Sequence, residues 1–115
     1  MSSSREALRL QDIIDNIDRI TAHVGDMDYP GFARDWKTVD AVERCLQRIT
    51  EAVIKIGPER MNQIAPTLPV SAVRGLGNLL RHDYDQVSLP TIFTTITDRL
   101  PGLRVDCERA LSKGD

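Results

Sequence analysis

The sequence is poor in aromatic residues, histidine and cysteine. Only 4% of its 115 residues are aromatic, and it contains 2 histidines and 2 cysteines. Cys45 and Cys107 form no CxxC motif and have no histidine at metal-ligand spacing, so we expect them to be small buried hydrophobes in a reducing cytoplasm. With so few aromatic residues the core must be aliphatic, which favours helices that pack on helices.

The sequence also lacks a long apolar run and an excess of positive charge. No stretch approaches the roughly 20 apolar residues of a membrane-spanning helix, and the start, "MSSSREALRL", has no long apolar segment. We therefore expect a soluble, cytoplasmic protein that does not enter a membrane. The net charge of -2 excludes the broad positive surface of a general nucleic-acid binder but leaves room for a local basic stripe.

Apolar residues recur at helical spacing along most of the chain. The pattern predicts a first helix to about His23, a second that ends at Gly57, a third in "PERMNQIA", a fourth over 70–83, and a last helical stretch over 92–111 that Pro101 kinks or restarts. No strand pattern is present. We therefore predict an all-α, antiparallel bundle of four to five helices that forms one domain over residues 1–115. Because a bundle of this size leaves apolar surface at its edge, we also expect a homodimer.

Several of the rarer side chains gather in "RHDYD", residues 81–85. On an ideal helix through this motif, Arg74, Asn78, Arg81 and His82 lie within about 100° of one another and so share one side. We call these four residues the stripe. The opposite side, which we predict to face the core, carries Ala72, Val73, Leu76, Leu79 and Leu80.

The chemistry that such a stripe can support is cleavage of an RNA phosphodiester. An imidazole takes or gives a proton near neutral pH, and a guanidinium holds the charge that builds on phosphate oxygens. His82, Arg81, Arg74 and Asn78 are therefore the catalytic candidates. The alternative is an ordinary solvated arginine face with a surface histidine. The carboxylates of the motif have no further ligand nearby, so we predict neither a metal site nor a cofactor.

Three segments in order, "AVERCLQRITEAVIKI", "IAPTLPVSAVRGLGNLLRHDYD" and "TIFTTITDRLPGL", resemble the HepT-like branch of the HEPN superfamily. The resemblance covers nearly the whole chain and depends on the ordered set of motifs. It implies a helical bundle, usually dimeric, with active sites near the dimer interface. It also implies a metal-independent endoribonuclease toxin that is silenced by a minimal nucleotidyltransferase antitoxin.

The resemblance assigns residues one by one, with one departure. Asn78 and His82 match the family's asparagine and histidine, but Gly77 stands where the family has an arginine directly before the asparagine. On an ideal helix Arg81 lies about 40° from that position and Arg74 about 60°, so either could reach into the vacated space. The function therefore remains open between an active endoribonuclease with a displaced arginine, a catalytically weak binding protein with the same fold and partner surface, and a dimeric structural module without RNA contact.

Tyr84 matches the tyrosine of the family's His-x-Tyr motif. The resemblance implies that the partner nucleotidyltransferase transfers AMP to this tyrosine. On a continuous helix Tyr84 would point about 160° away from His82, so the two can share a site only if the helix ends near Asp83. The alternative is a tyrosine that packs at the edge of the bundle with its hydroxyl group in water.

Overall fold

The computed structural model describes residues 4–113, apart from the side chain of Tyr84. Within this range the chain is almost entirely helical and has no strand, which confirms the predicted all-α bundle. It also contains a 3-10 turn at Tyr84–Gln86 and one π-helical turn at Thr95–Arg99. None of the helices in this range is long and apolar enough to cross a membrane. The helices are α1 (Ser4–Val24), α2 (Tyr29–Arg34), α3 (Trp36–Ile56), α4 (Pro58–Ile64), α5 (Val70–His82), α6 (Leu89–Thr94) and α7 (Leu100–Lys113).

The two longest helices, α1 and α3, bury most of the core residues. Arg60 in α4 donates to both carboxylate oxygens of Glu6 in the first turn of α1, at 2.8 and 3.1 Å. Because α4 directly follows α3, this ion pair places the end of α3 beside the start of α1, so the two helices are antiparallel. Their buried apolar residues are Leu10, Ile13, Ile14, Ile17, Ile20 and Val24 of α1 and Val39, Val42, Cys45, Leu46, Ile49, Ala52 and Val53 of α3.

The core is aliphatic, as its composition predicts. Among the described residues, Phe32 is the one aromatic residue that is buried, and its ring lies 5.3 Å from the half-buried ring of Phe93. Cys45 and Cys107 are buried with free thiols. The predicted behaviour of the cysteines as small hydrophobes is therefore confirmed.

Side-chain caps and special residues set the helix ends. Asp28 accepts a hydrogen bond from the backbone N–H of Gly31 at the start of α2, and Asp35 accepts one from Thr38 at the start of α3. Gly57 ends α3 with a φ of 99°, in the left-handed region that favours glycine. Proline then begins α4, where its missing N–H would have had no helical partner.

The last helical stretch widens where proline interrupts it. Pro101 has no N–H to donate to the carbonyl four residues back, and the N–H of Leu100 reaches five residues back, to Thr95. The hydroxyl group of Thr97 donates to the carbonyl of Phe93 at 2.9 Å and so satisfies a backbone acceptor beside the wide turn. The predicted kink at proline is thus a π-helical turn without a break in the helix.

Helix α5 is turned differently from the prediction. Its buried residues are Gly77 and Leu80, which lie at about 300° and 240° on an ideal helix counted from Arg74. The side of α5 that faces the core is therefore centred on these two positions. The prediction that Ala72 and Leu79 also face the core is wrong. The five residues expected to face the core are Leu80, which is buried, Val73 and Leu76, which are half-buried, and Ala72 and Leu79, which are exposed.

Candidate active site

The four stripe residues lie on the outer side of α5, as the helical spacing predicts. Arg74, Asn78, Arg81 and His82 are all exposed to solvent. The guanidinium of Arg81 donates from Nη2 to Asn78 Oδ1 at 2.6 Å. Because a guanidinium has five N–H groups in a fixed plane, this single bond orients the group and leaves most of its donors available.

A shallow cavity of about 240 Å³ lies between α5 and α3 beside the stripe. It brings Arg74, Asn78 and Arg81 together, while His82, the last residue of α5, lies outside its lining. Among the described residues, no carboxylate is within ion-pairing distance of Arg74 or Arg81. The complete lining is Glu51, Ile54, Lys55, Arg74, Asn78 and Arg81.

The contribution of α3 to this cavity was not predicted from the sequence. Glu51 and Lys55 are four residues apart and so share one face of α3. In the sequence Glu51 and Lys55 look like ordinary residues of a solvated helix face. The one sequence feature that could have indicated their role is their spacing of four residues near the end of α3. The packing of α5 on α3 makes Lys55 a third cation at the site.

Gly77 lies where α5 and α3 are in close contact. A Cβ atom at this position would lie 2.7 Å from Thr50 Oγ1 and 3.0 Å from Thr50 Cβ, and Thr50 is itself buried. Thr50 therefore occupies the side of Gly77 that we expected to be vacant. The guanidinium of Arg81 lies at the edge of the same position, with Nη1 3.7 Å from the place of that Cβ. Of the two arginines considered, Arg81 is the one that reaches position 77.

Helix α5 ends beside Asp83, as it must if Tyr84 and His82 are to share a site. Asp83 leaves the helical conformation at φ -141° and ψ 48°, while its N–H still bonds the carbonyl of Leu79 at 2.7 Å. The chain then continues into the 3-10 turn that begins at Tyr84. The predicted helix end beside Asp83 is confirmed. The prediction for the tyrosine itself falls on a side chain that lies outside the described part of the structure.

The arrangement can bind an anion and place a titratable ring beside it. Three cations, Arg74, Arg81 and Lys55, meet at one cavity, and His82 ends the same helix face. Guanidinium and ammonium groups bind phosphate oxygens through charge-assisted hydrogen bonds. Over residues 4–113, His, Cys, Asp and Glu side chains form no cluster of three or more that could hold a metal ion.

Comparison with known proteins identifies the family. Residues 13–110 match the family model described as "Ribonuclease HepT-like". The chain is 32% identical over 102 residues to the protein named "Putative RNase MJ0125" from Methanocaldococcus jannaschii, with 89% of this chain and 87% of that protein covered. It is 30% identical over 102 residues to "Putative RNase MJ1216" from the same organism, with 89% and 84% covered. No solved structure matches. The chain therefore belongs to the HepT-like ribonuclease family.

Proposed function

We propose that this protein is an endoribonuclease that cleaves RNA phosphodiester bonds without a metal ion. The observation that carries the proposal is the cavity where Arg74, Arg81 and Lys55 meet beside His82. None of the three cations is within ion-pairing distance of a carboxylate among the described residues, so their charge is free to bind a phosphate. Membership in the HepT-like ribonuclease family supports the same reaction.

In the proposed reaction, His82 accepts the proton of a ribose 2′-hydroxyl group while its oxygen bonds to the neighbouring phosphorus atom. The bond from phosphorus to the 5′-oxygen of the next nucleotide breaks, and that oxygen takes up a proton from the solvent, to which His82 later loses the proton it accepted. The products are a 2′,3′-cyclic phosphate and a free 5′-hydroxyl group. Arg81, held by Asn78, stabilises the negative charge that builds on the non-bridging phosphate oxygens.

A cleavage assay on purified protein tests this function. We expect RNA cleavage that persists in EDTA, cyclic phosphate ends on the products, and no cleavage by His82→Ala. His23→Ala is a matched control. His23 is also exposed and lies in the last turn of a helix, α1, but it belongs to neither the stripe nor its cavity. Cleavage that stops in EDTA and returns with a divalent ion would contradict the proposal.

A second candidate function is a catalytically weak RNA-binding or partner-binding protein. Gly77 favours it, because the arginine that the family places there is absent and Thr50 closes that position. The two candidates differ in the same assay, since a binding protein would retain RNA but not cut it. Loss of one transition-state donor costs about 100- to 1,000-fold in rate, which separates a weakened enzyme from its fully active relatives.

We also propose that the protein acts as a homodimer. A groove of about 260 Å³ next to α5 is lined mainly by apolar side chains, among them Leu76, Val73 and Ile49. A second copy that covers this groove would remove these apolar side chains from water, which a bundle of this size has reason to do. Light scattering should give twice 12.9 kDa at micromolar concentration, and Leu76→Glu should reduce the mass to that of one chain. A single-chain mass for the unaltered protein would contradict the dimer.

The remaining part of the proposal is control by a nucleotidyltransferase antitoxin that attaches AMP to Tyr84. The described backbone supports it, because α5 ends at His82 and the chain turns at Tyr84, close to the stripe. A bulky, negatively charged AMP group there would repel the phosphate of an RNA substrate. Mass spectrometry of protein co-expressed with the transferase should find AMP on Tyr84 and none in Tyr84→Phe. Silenced protein with unmodified Tyr84 would show that the antitoxin acts by binding alone.

A further inference from the structure

A second cleft, of about 280 Å³, lies between α1 and α3, on the other side of Glu51 and Lys55 from the stripe cavity. Both residues line both cavities, so the cleft continues directly into the candidate active site. We call it the α1–α3 cleft. Its lining is Arg9, Asp12, Asp15, Asn16, Arg19, Arg48, Glu51, Ala52 and Lys55.

The acidic residues of the α1–α3 cleft are engaged on their own helices. Asp12 lies 3.8 Å from a guanidinium nitrogen of Arg9. Asp15 accepts a hydrogen bond of 2.9 Å from the Gln11 amide, and Glu51 accepts one of 3.4 Å from the Gln47 amide. Each partner is three or four residues away, the spacing at which side chains meet on a helix surface. These contacts hold the three carboxylates along their own helices, but the neutral amides leave the charges of Asp15 and Glu51 in place, and the four cations of the lining outnumber the carboxylates by one.

Three cations of the cleft, in contrast, have no carboxylate partner among the described residues. Over residues 4–113, Arg19, Arg48 and Lys55 have no carboxylate within ion-pairing distance. They come from two helices and meet at one cavity, so their positive charge faces a common space. Unpaired guanidinium and ammonium groups in a cleft attract anions, and phosphate is the anion for which a planar guanidinium has the best geometry.

Asn16 adds an independent sign that a ligand binds here. It is only 6% exposed and lines the cleft. Its Nδ2 donates to the carbonyl of Asp12 at 2.8 Å, and its Oδ1 has no hydrogen-bond donor among the described residues. A buried acceptor without a donor lowers the stability of the folded chain. Oδ1 is itself shielded from solvent, so a donor in the cleft reaches it only when the amide turns towards the opening; the 2′-hydroxyl groups of an RNA strand are donors of the kind that this oxygen lacks.

We infer that the α1–α3 cleft binds a phosphate and ribose of the RNA strand next to the nucleotide that is cut at the stripe. Arg19 and Arg48 hold the phosphate, Asn16 accepts a hydrogen bond from the ribose hydroxyl, and Lys55 connects the cleft to the stripe. The inference rests on the proposed ribonuclease function, because it assigns the same RNA strand to both cavities. It makes the cleft a binding surface that raises affinity for longer RNA without taking part in the chemistry.

The test measures binding of a single-stranded RNA that spans both cavities, by fluorescence anisotropy over a range of salt concentrations. All variants of the full chain carry His82→Ala so that the RNA stays intact. Arg19→Ala/Arg48→Ala should weaken binding about tenfold or more. It should also reduce the salt dependence of log K by about 0.7, because one neutralised phosphate contributes about that much on a single strand.

A matched control removes two positive charges elsewhere. Arg34 and Arg44 are exposed and line neither the cleft nor the stripe cavity, so Arg34→Ala/Arg44→Ala should keep the salt dependence of its parent. Equal losses in the two double variants would overturn the inference, because the effect would then be one of total charge. Arg19→Ala alone, at an exposed position, is a second variant that leaves the core intact and should weaken binding by a smaller factor than the double variant.

A separate measurement, a comparison of RNA with DNA binding, tests the role of Asn16. The parent should bind the RNA more tightly than a DNA strand of the same sequence, and Asn16→Leu should remove that difference. An unchanged preference for RNA in Asn16→Leu would overturn the contact assigned to Asn16.

The same experiments separate this inference from the proposed function. If the protein with His82 intact never cuts RNA but binding depends on Arg19 and Arg48, the ribonuclease proposal fails and the cleft assignment stands. If the RNA is cut but Arg19→Ala/Arg48→Ala binds it like the parent, the cleft assignment alone fails. If the parent does not bind RNA and the protein with His82 intact does not cut it, both are overturned.

Discussion

Gly77 and Thr50 are in such close contact that a single methyl group added to Gly77 would overlap the threonine. The added Cβ would lie 2.7 Å from Thr50 Oγ1, and that hydroxyl group donates at 2.8 Å to the carbonyl of Gln47. Thr50 is 2% exposed, so it has little room to move. The glycine that departs from the family pattern is therefore also the residue that lets α5 pack on α3.

The first prediction follows from this contact. Gly77→Ala should lower the free energy of unfolding, because overpacking costs about 1–3 kcal/mol and the gain in helix propensity is only about 1 kcal/mol. Thr50→Ala should recover part of the loss when combined with it, since the overlapping hydroxyl group is then gone. Urea unfolding of the single and double variants measures both effects.

Gly75 provides the control for this prediction. It lies in the same helix, and an added Cβ would meet nothing within 4 Å. Gly75→Ala should therefore raise the free energy of unfolding by up to about 1 kcal/mol. If both alanine variants were stabilised equally, the tight contact between Gly77 and Thr50 would not exist in solution.

The second prediction distinguishes the two arginines of the stripe. Arg81→Ala should reduce RNA cleavage by about 100- to 1,000-fold, because Asn78 holds its guanidinium at 2.6 Å beside position 77. Arg74 has no such bond among the described contacts, and Arg74→Ala should have a clearly smaller effect. Rates within a few-fold of the parent for both variants would contradict the idea of a relocated arginine.

The third prediction concerns the ion pair between α7 and α1. The Arg104 guanidinium donates to both carboxylate oxygens of Asp18, at 2.8 and 3.0 Å, and this hydrogen bonding holds the pKa of Asp18 below its ordinary 3.8. The folded chain therefore takes up the proton at lower pH than the unfolded chain. The stabilisation is fully present above about pH 4 and is lost as the pH falls through the lowered pKa.

Arg104→Gln tests this directly. Its melting temperature should be below that of the parent near pH 7, and the gap should narrow as the solution is acidified below about pH 4. The matched control is Arg109→Gln on the same helix, because among residues 4–113 Arg109 pairs with Asp106 alone, three residues away on α7. A gap that stayed constant down to acid pH would contradict the role of Asp18.

The fourth prediction concerns Cys107. Burial raises the pKa of its thiol from the ordinary 9.0 to about 12, with a smaller contribution from the charge of Asp106. The unfolded chain then loses this proton at lower pH than the folded chain, so stability should fall as the pH rises above about 9. Cys107→Ser keeps a small side chain that does not ionise in this range and should flatten that fall. Thiol reagents should react with the folded protein only as fast as it opens.

The sequence predicts the helices well because their signals are local. Helical spacing of apolar residues and the glycine at position 57 both act within a few residues of where they stand. The stripe is predicted for the same reason, since four residues on one helix need only the geometry of that helix. The end of α5 beside Asp83 follows in the same way from the turn-forming residues after His82.

What the sequence does not predict depends on how the helices pack. The core face of α5 is turned towards Gly77 because a residue without a side chain allows close approach to Thr50, and a count of apolar residues gives glycine no weight. Lys55 and Glu51 become part of the site only because α5 lies beside α3. A helical pattern describes one helix at a time, so contributions from a second helix cannot be found in it.

The π-helical turn at Thr95–Arg99 keeps two halves of the last helix in phase. Ile92, Ile96 and Leu100 are buried at intervals of four residues, each longer than a turn of 3.6, and the wider turn absorbs the surplus. Deleting one residue within the turn would restore ordinary helix geometry but rotate α7 by about 100° relative to α6. Leu103 would then leave the core and Arg104 would lose Asp18. The length of this segment is thus as tightly constrained as its composition, although its residues are largely exposed.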